Sequence, residues 1–173
     1  VARLSAVAAA LLFQTGAPAA AAGETAGGSA SGLPVPRFVS LKSDRVNVRG
    51  GPAKDHDVSW IFTRSGLPVE ITAEYDNWRR VRDWEGAEGW VYHSLLSGRR
   101  TAIAMPNPNN KDDLLALRDD PDPKAAVVAK LQPGVVGSVK KCNGTWCRVA
   151  GAGFDGWIEQ VRLFGVYPNE KVE

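Results

Sequence analysis

Trp78, Arg80, Arg82 and Trp84 stand at alternate positions of one short segment. On a strand, period two would put two indoles and two guanidiniums on one face. That combination can stack on an aromatic or peptidic partner and grip a carboxylate through paired hydrogen bonds. The quartet is the candidate ligand-binding site. The same residues also suit a charged surface whose tryptophans cover a barrel end or a neighbouring unit.

Other reactive side chains fit bland roles better. His56 lies between Asp55 and Asp57, but consecutive residues cannot easily converge on one metal ion. His93 and Ser94 are adjacent, which points their side chains apart on a strand, whereas a nucleophile needs its base within hydrogen-bond reach. Asp119, Asp120 and Asp122 lack the spaced ligands and closing glutamate of a calcium loop, and aspartate before Pro121 is turn chemistry. Gly50-Gly51 has neither the lysine nor the helix of a phosphate loop. These residues give no convergent nucleophile, base and oxyanion donor. The expectation is therefore a protein that is not an enzyme and uses no metal or other cofactor.

Net charge is +2 over 173 residues. Residues 37–104 carry eleven basic and nine acidic side chains, and residues 111–167 carry eight and seven. Near-balance in both stretches argues against nucleic acid as partner. Arg79-Arg80, Arg99-Arg100 and Lys140-Lys141 read as solvated faces. Cys142 and Cys147 are the two cysteines. In an exported protein a close pair is a disulfide, here stapling a hairpin that turns at Asn143-Gly144.

The positioning elements are strands. Val46 and Val48 alternate with polar residues, as do Val69, Ile71 and Ala73, then Leu115 and Leu117. Gly50-Gly51-Pro52, Gly66-Leu67-Pro68, Asp76-Asn77 and Glu85-Gly86 break the runs. The pattern is written twice. Pro52 and Pro121 are 69 positions apart, Trp78 and Trp146 are 68 apart, and Trp90 and Trp157 are 67 apart. Such small drift in offset marks one structural unit duplicated with short loop changes. Five or so short strands per unit predict a small barrel or sandwich.

Upstream, Arg3, the apolar run Ala6–Phe13 and the alanines after Pro18 have the layout of a secretory signal, expected over residues 1–22. Residues 23–36, rich in Gly, Ala, Ser and Pro, predict a flexible tether. Ordered chain is expected to begin near Arg37. A connector is expected over residues 104–113, within the Pro- and Asn-rich stretch that follows Thr101, and a short tail over 169–173.

The landmarks resemble the bacterial SH3-like domain family: Val46 to Pro52, Gly66 to Val69, Trp78 to Val81, Gly89 to Val91 and Leu95. They recur as Leu115 to Pro121, Gly134 to Val136, Trp146 to Val149, Gly156 to Ile158 and Leu163. The resemblance implies an all-β chain with two tandem small SH3-like β-barrels, over residues 37–103 and 114–168. It also implies a binding module of the bacterial cell envelope, exported or periplasmic. Expected partners are peptidoglycan, a peptide or an envelope protein, with membrane contact only through an uncleaved signal segment. The alternative is a structural or assembly partner using an exposed sheet edge or aromatic patch. Nothing here matches the strand that carries proline-rich peptide binding in the signalling branch of SH3 domains.

Overall fold

The computed structural model describes residues 29–110 and 114–173. The expected signal segment lies outside them. The first sheet holds β1 (Arg37–Leu41), β2 (Val46–Arg49), β3 (Val58–Phe62), β4 (Pro68–Tyr75), β5 (Trp78–Arg82), β6 (Glu88–Tyr92) and β7 (Leu96–Ser97). The second holds β8 (Thr101–Ala104), β9 (Leu115–Arg118), β10 (Val127–Leu131), β11 (Val136–Asn143), β12 (Trp146–Gly151), β13 (Phe154–Glu159) and β14 (Leu163–Phe164). The spatial orders are β3-β2-β6-β5-β4-β1-β7 and β10-β9-β13-β12-β11-β8-β14. Adding seven to each label of the first order gives the second. The chain is thus all-β and built from two copies of one antiparallel unit, as the spacing of its landmarks predicts. A single 3-10 turn precedes the last strand of each copy, His93–Leu95 and Gln160–Arg162.

Alternation works as expected. Val46 and Val48 are fully buried, and so is Leu117, with Leu115 nearly so. The first core gathers Val39, Leu41, Val46, Val48, Val69, Ile71, Val81 and Val91. The second gathers Leu115, Leu117, Leu131, Val149, Ile158 and both cysteines. Gly89 and Gly156 explain the repeated Gly-Trp landmark. A Cβ on Gly89 would sit 2.4 Å from Val48 Cγ1, and one on Gly156 would sit 2.9 Å from the Arg118 carbonyl oxygen. Each glycine lets the strand before its tryptophan cross close over the second strand of its unit.

Three expected boundaries are corrected. Thr101–Ala104 is not the end of the first unit. It is the first strand of the second, paired with β11 and β14 as β1 is paired with β4 and β7. The Pro- and Asn-rich stretch after Ala104 is consequently a loop between the first two strands of the second unit, where the first unit has only Lys42–Arg45. Next, the expected tether is tied down over its last part. Ser29 Oγ and Ser31 Oγ both donate to the Glu74 carboxylate. Finally, the expected tail contributes β15 (Lys171–Val172), which pairs with β11.

The two units share packing. Ile103 of β8 belongs to the first core, with Val136 and Phe164 packed against it. Phe38 meets Phe164 edge-on at 5.1 Å and Tyr167 at 4.6 Å between ring centroids. Around this aromatic contact, Tyr167 Oη donates to Glu70 Oε1 at 2.9 Å, and Arg64 Nη1 donates to the Gly134 carbonyl at 3.2 Å. Units of this size are marginal alone, so the shared surface adds burial that each lacks.

Candidate functional site

Strand register settles where the predicted quartet lies. Trp78, Arg80 and Arg82 face Tyr92, Trp90 and Glu88 across β5 and β6, so the three share the outer face, as period two requires. Trp84 is not with them. It packs against Phe62 at 6.2 Å and against the first core. The cause is local: β5 ends at Arg82, and Asp83 Oδ1 accepts the backbone N–H groups of Glu85 and Ala87. That turn stops the alternation one residue before Trp84.

Both predicted guanidiniums are occupied within the chain. Arg80 Nη2 meets Glu88 Oε2 at 2.6 Å. Arg82 is held through Nε and Nη2 by Glu70 Oε2, and Glu70 is itself buried and bound to Tyr167. Arg82 therefore supports the junction between units. The Arg80 pair recurs as Arg148 with Asp155, 2.7 Å apart.

A second repeated arginine lies within the first landmark, where the residue pattern assigns it no role of its own. Arg49 Nη1 donates to the His56 carbonyl at 2.6 Å, and Arg118 Nη1 to the Ala125 carbonyl at 2.6 Å. Each loop is closed again by a backbone bond, Gly50 N–H to Asp57 O and Asp119 N–H to Ala126 O, both 3.1 Å. These arginines fix the loop after the second strand. Across the sheet Arg49 and Arg80 flank Trp90, as Arg118 and Arg148 flank Trp157.

Between that pinned loop and the 3-10 turn, each unit has a groove beside its first repeated tryptophan. In the first unit it holds about 310 Å³ and is lined by Asn47, Arg49, Lys54, Trp78, Tyr92, Ser94 and Leu95. Trp78 is mostly buried and meets the Tyr92 ring edge-on at 5.4 Å. In the second unit the equivalent groove holds about 170 Å³, with Ala116, Arg118, Trp146, Glu159 and Arg162 among its walls. On the far side of Trp146 and Glu159 opens a wider cleft of about 840 Å³, walled by Thr145, Val161, Val166 and Pro168. Val161 there is 82% exposed. Trp78 is the one member of the predicted quartet that lines either groove. For Arg49 a sequence signal was present in the Val-Asn-Val-Arg landmark, whose polar positions face out whenever its valines face in.

The two cysteines form a disulfide, as their spacing predicts, and face each other across the β11–β12 hairpin. Among the described residues no group of three or more His, Cys, Asp and Glu could hold a metal ion. His56 sits over Gly51, where a Cβ would meet its ring at 2.3 Å, so its place in the loop is one of packing.

The family model described as the bacterial SH3 domain matches the chain twice, over residues 42–98 and 111–165. No curated protein matches it. Among solved structures, NlpC2 from Trichomonas vaginalis is similar over 76% of this chain and 49% of its own, at 11% identity and a TM-score of 0.33. NlpC1 from the same organism is similar over 78% and 48%, at 14% identity and a TM-score of 0.33. The chain spans about half the length of each.

Proposed function

The chain belongs to the bacterial SH3 domain family, and we propose that it is a non-catalytic binding module of the bacterial cell envelope, acting after export. Domains of this family are binding modules. The finer reading is that the grooves beside Trp78 and Trp146 recognise a peptide, peptidoglycan or a protein surface.

The observation that carries this reading is the recurrence of one groove in both copies. Arg49 and Arg118 spend a hydrogen bond on the same loop carbonyl in each, and an otherwise enclosed tryptophan turns one edge to the same concavity. An apolar wall with a few polar groups is what small ligand sites require. Incubating the full chain with purified peptidoglycan sacculi and sedimenting them tests it. Saturable retention is expected. A chain left in the supernatant across the sacculus range would remove peptidoglycan as the ligand.

A second reading, as an assembly partner, is favoured by the sheet edges. β3 and β10 end their sheets and expose Val58 and Ile61, and Val127 and Val128. Such edges can accept an added strand. Loss of partner pairing on Val128→Lys, with sacculus retention unchanged, would separate this reading from the first.

A further inference from the structure

The two grooves share a frame but not a chemistry. Arg49 and Trp78 are matched by Arg118 and Trp146. The other positions differ: Asn47 stands against Ala116, Lys54 against Pro123, Tyr92 against Glu159, Ser94 against Val161 and Leu95 against Arg162, with Pro123 and Val161 lining the wider cleft instead. The first four exchanges each remove a hydrogen-bonding or cationic group from the second unit or put a carboxylate in its place. The fifth adds Arg162, whose Nη2 is spent on the Met105 carbonyl and which shares its groove with Glu159.

In the first groove those groups are unspent. The Asn47 Oδ1 atom is buried and accepts no hydrogen bond. Among the described residues, Lys54 Nζ, Tyr92 Oη and Ser94 Oγ have no protein partner. Most other polar side chains of that outer face are paired, Arg80 with Glu88 and Arg82 with Glu70. Lys54 is carried on the loop that Arg49 and the Gly50–Asp57 bond pin, so its ammonium is presented from a fixed base. Asp55 and Asp57 share that loop but do not line the groove.

We infer that the groove of the first unit, and not that of the second, takes a short peptide bearing a carboxylate. The carboxylate lies against Lys54 and Arg49, a peptide N–H supplies the donor that Asn47 lacks, and the Trp78–Tyr92 edge takes an apolar side chain. Charge-assisted hydrogen bonds are the strong ones in such a site, and Glu159 repels the same ligand from the second groove. This rests on the groove being the binding surface and goes further by naming what it selects.

The test is a titration of the full chain with three peptides, followed at the indole N–H signals of Trp78 and Trp146 by NMR. The peptides are acetylated tetra-alanine as the free acid, the same as the amide, and the amide with one alanine replaced by glutamate. The amide is expected to bind roughly five- to tenfold more weakly than at least one carboxylate form, and the two acidic peptides distinguish a chain terminus from a side chain. Trp78 should respond while Trp146 does not. Lys54→Gln should erase the difference between acid and amide with the fold intact. Equal binding of all three peptides, a matching response at Trp146, or no response at Trp78 would each overturn the inference. Sacculus retention without a Trp78 response would leave the binding module standing and reject only the carboxylate. A Trp78 response to acid without sacculus retention would keep the carboxylate peptide and remove only peptidoglycan as the ligand.

Discussion

Glu74 and Arg79 face each other across β4 and β5, Oε1 to Nε 3.0 Å, at the place that Cys142 and Cys147 occupy in the second unit. One copy closes this hairpin with an ion pair and the other with a covalent bond. The ion pair does more than close the hairpin. The Glu74 side chain is 1% exposed and also takes Arg37 at 2.6 Å, Ser29 Oγ, and both the N–H and Oγ of Ser31. This carboxylate gathers most of the polar ties of the N-terminal segment to the first barrel, to which Arg37 adds bonds to Ser31 and Pro34 and Val35 adds packing.

Burial by itself would raise the Glu74 pKa, but the hydrogen bonds from Ser29, Arg37 and Ser31 outweigh it and bring it to about 2, from 4.5. The folded value lies below the unfolded one, so the contribution to stability is full above pH 4.5. It is lost as pH falls through 2. Glu74→Gln is expected to cost about 2 kcal/mol at neutral pH and to flatten the acid limb of stability between these values. Urea unfolding at stepped pH checks both. Limited proteolysis should find the segment around Ser31 cut faster in the variant.

The disulfide closes a short loop of five residues' separation, yet both sulfurs lie in the second core. Chain entropy alone assigns it about 2 kcal/mol. The double change Cys142→Ala with Cys147→Ala is expected to lower stability by that order while keeping the sheet. Denaturation with and without reductant should show the wild type falling to the level of the variant.

Gly89→Ala forces a methyl group into Val48, and Gly156→Ala forces one toward the Arg118 carbonyl and Val128. Each should cost about 1–3 kcal/mol, the usual price of overpacking. Thermal unfolding checks it, with Gly98→Ala as a control, since a Cβ there meets nothing.

The hydroxyl of Tyr167 is one of the polar links across the units, beside the Arg64–Gly134 bond. Burial, then the bond to Glu70, raises its pKa above the ordinary tyrosine range. A raised folded value means stability is complete below pH 10 and declines as pH climbs beyond it. Tyr167→Phe should remove that alkaline dependence and cost about 1 kcal/mol. If the link couples the units, calorimetry should show one transition in the wild type and a broadened or split one in the variant.

Much of the fold is readable because period two and the repeated Gly-Trp and Trp-x-x-Val landmarks are direct consequences of burial. Val81, Val91, Val149 and Ile158 had to face in. Thr101–Ala104 was hidden for a physical reason: all four residues are buried, so no alternation marks them, and a Pro-Asn loop follows at once. The Glu74–Arg79 counterpart of the disulfide was hidden because two unlike chemistries fill one place. Tyr167 and Glu70 are 97 residues apart, and no local pattern predicts their meeting. In the site, Trp78 was legible from its alternation with Arg80 and Arg82 on one strand. Asn47 and Lys54 were not, because their meaning lies in lacking partners, which only packing reveals.

The most direct measurement is sacculus retention of the full chain against a variant with both grooves filled, Asn47→Trp together with Ala116→Trp. These are equivalent outward positions of β2 and β9. Saturable retention by the wild type, abolished in a variant that unfolds at the same temperature, is the predicted result. Retention that survives filling both grooves would contradict the account.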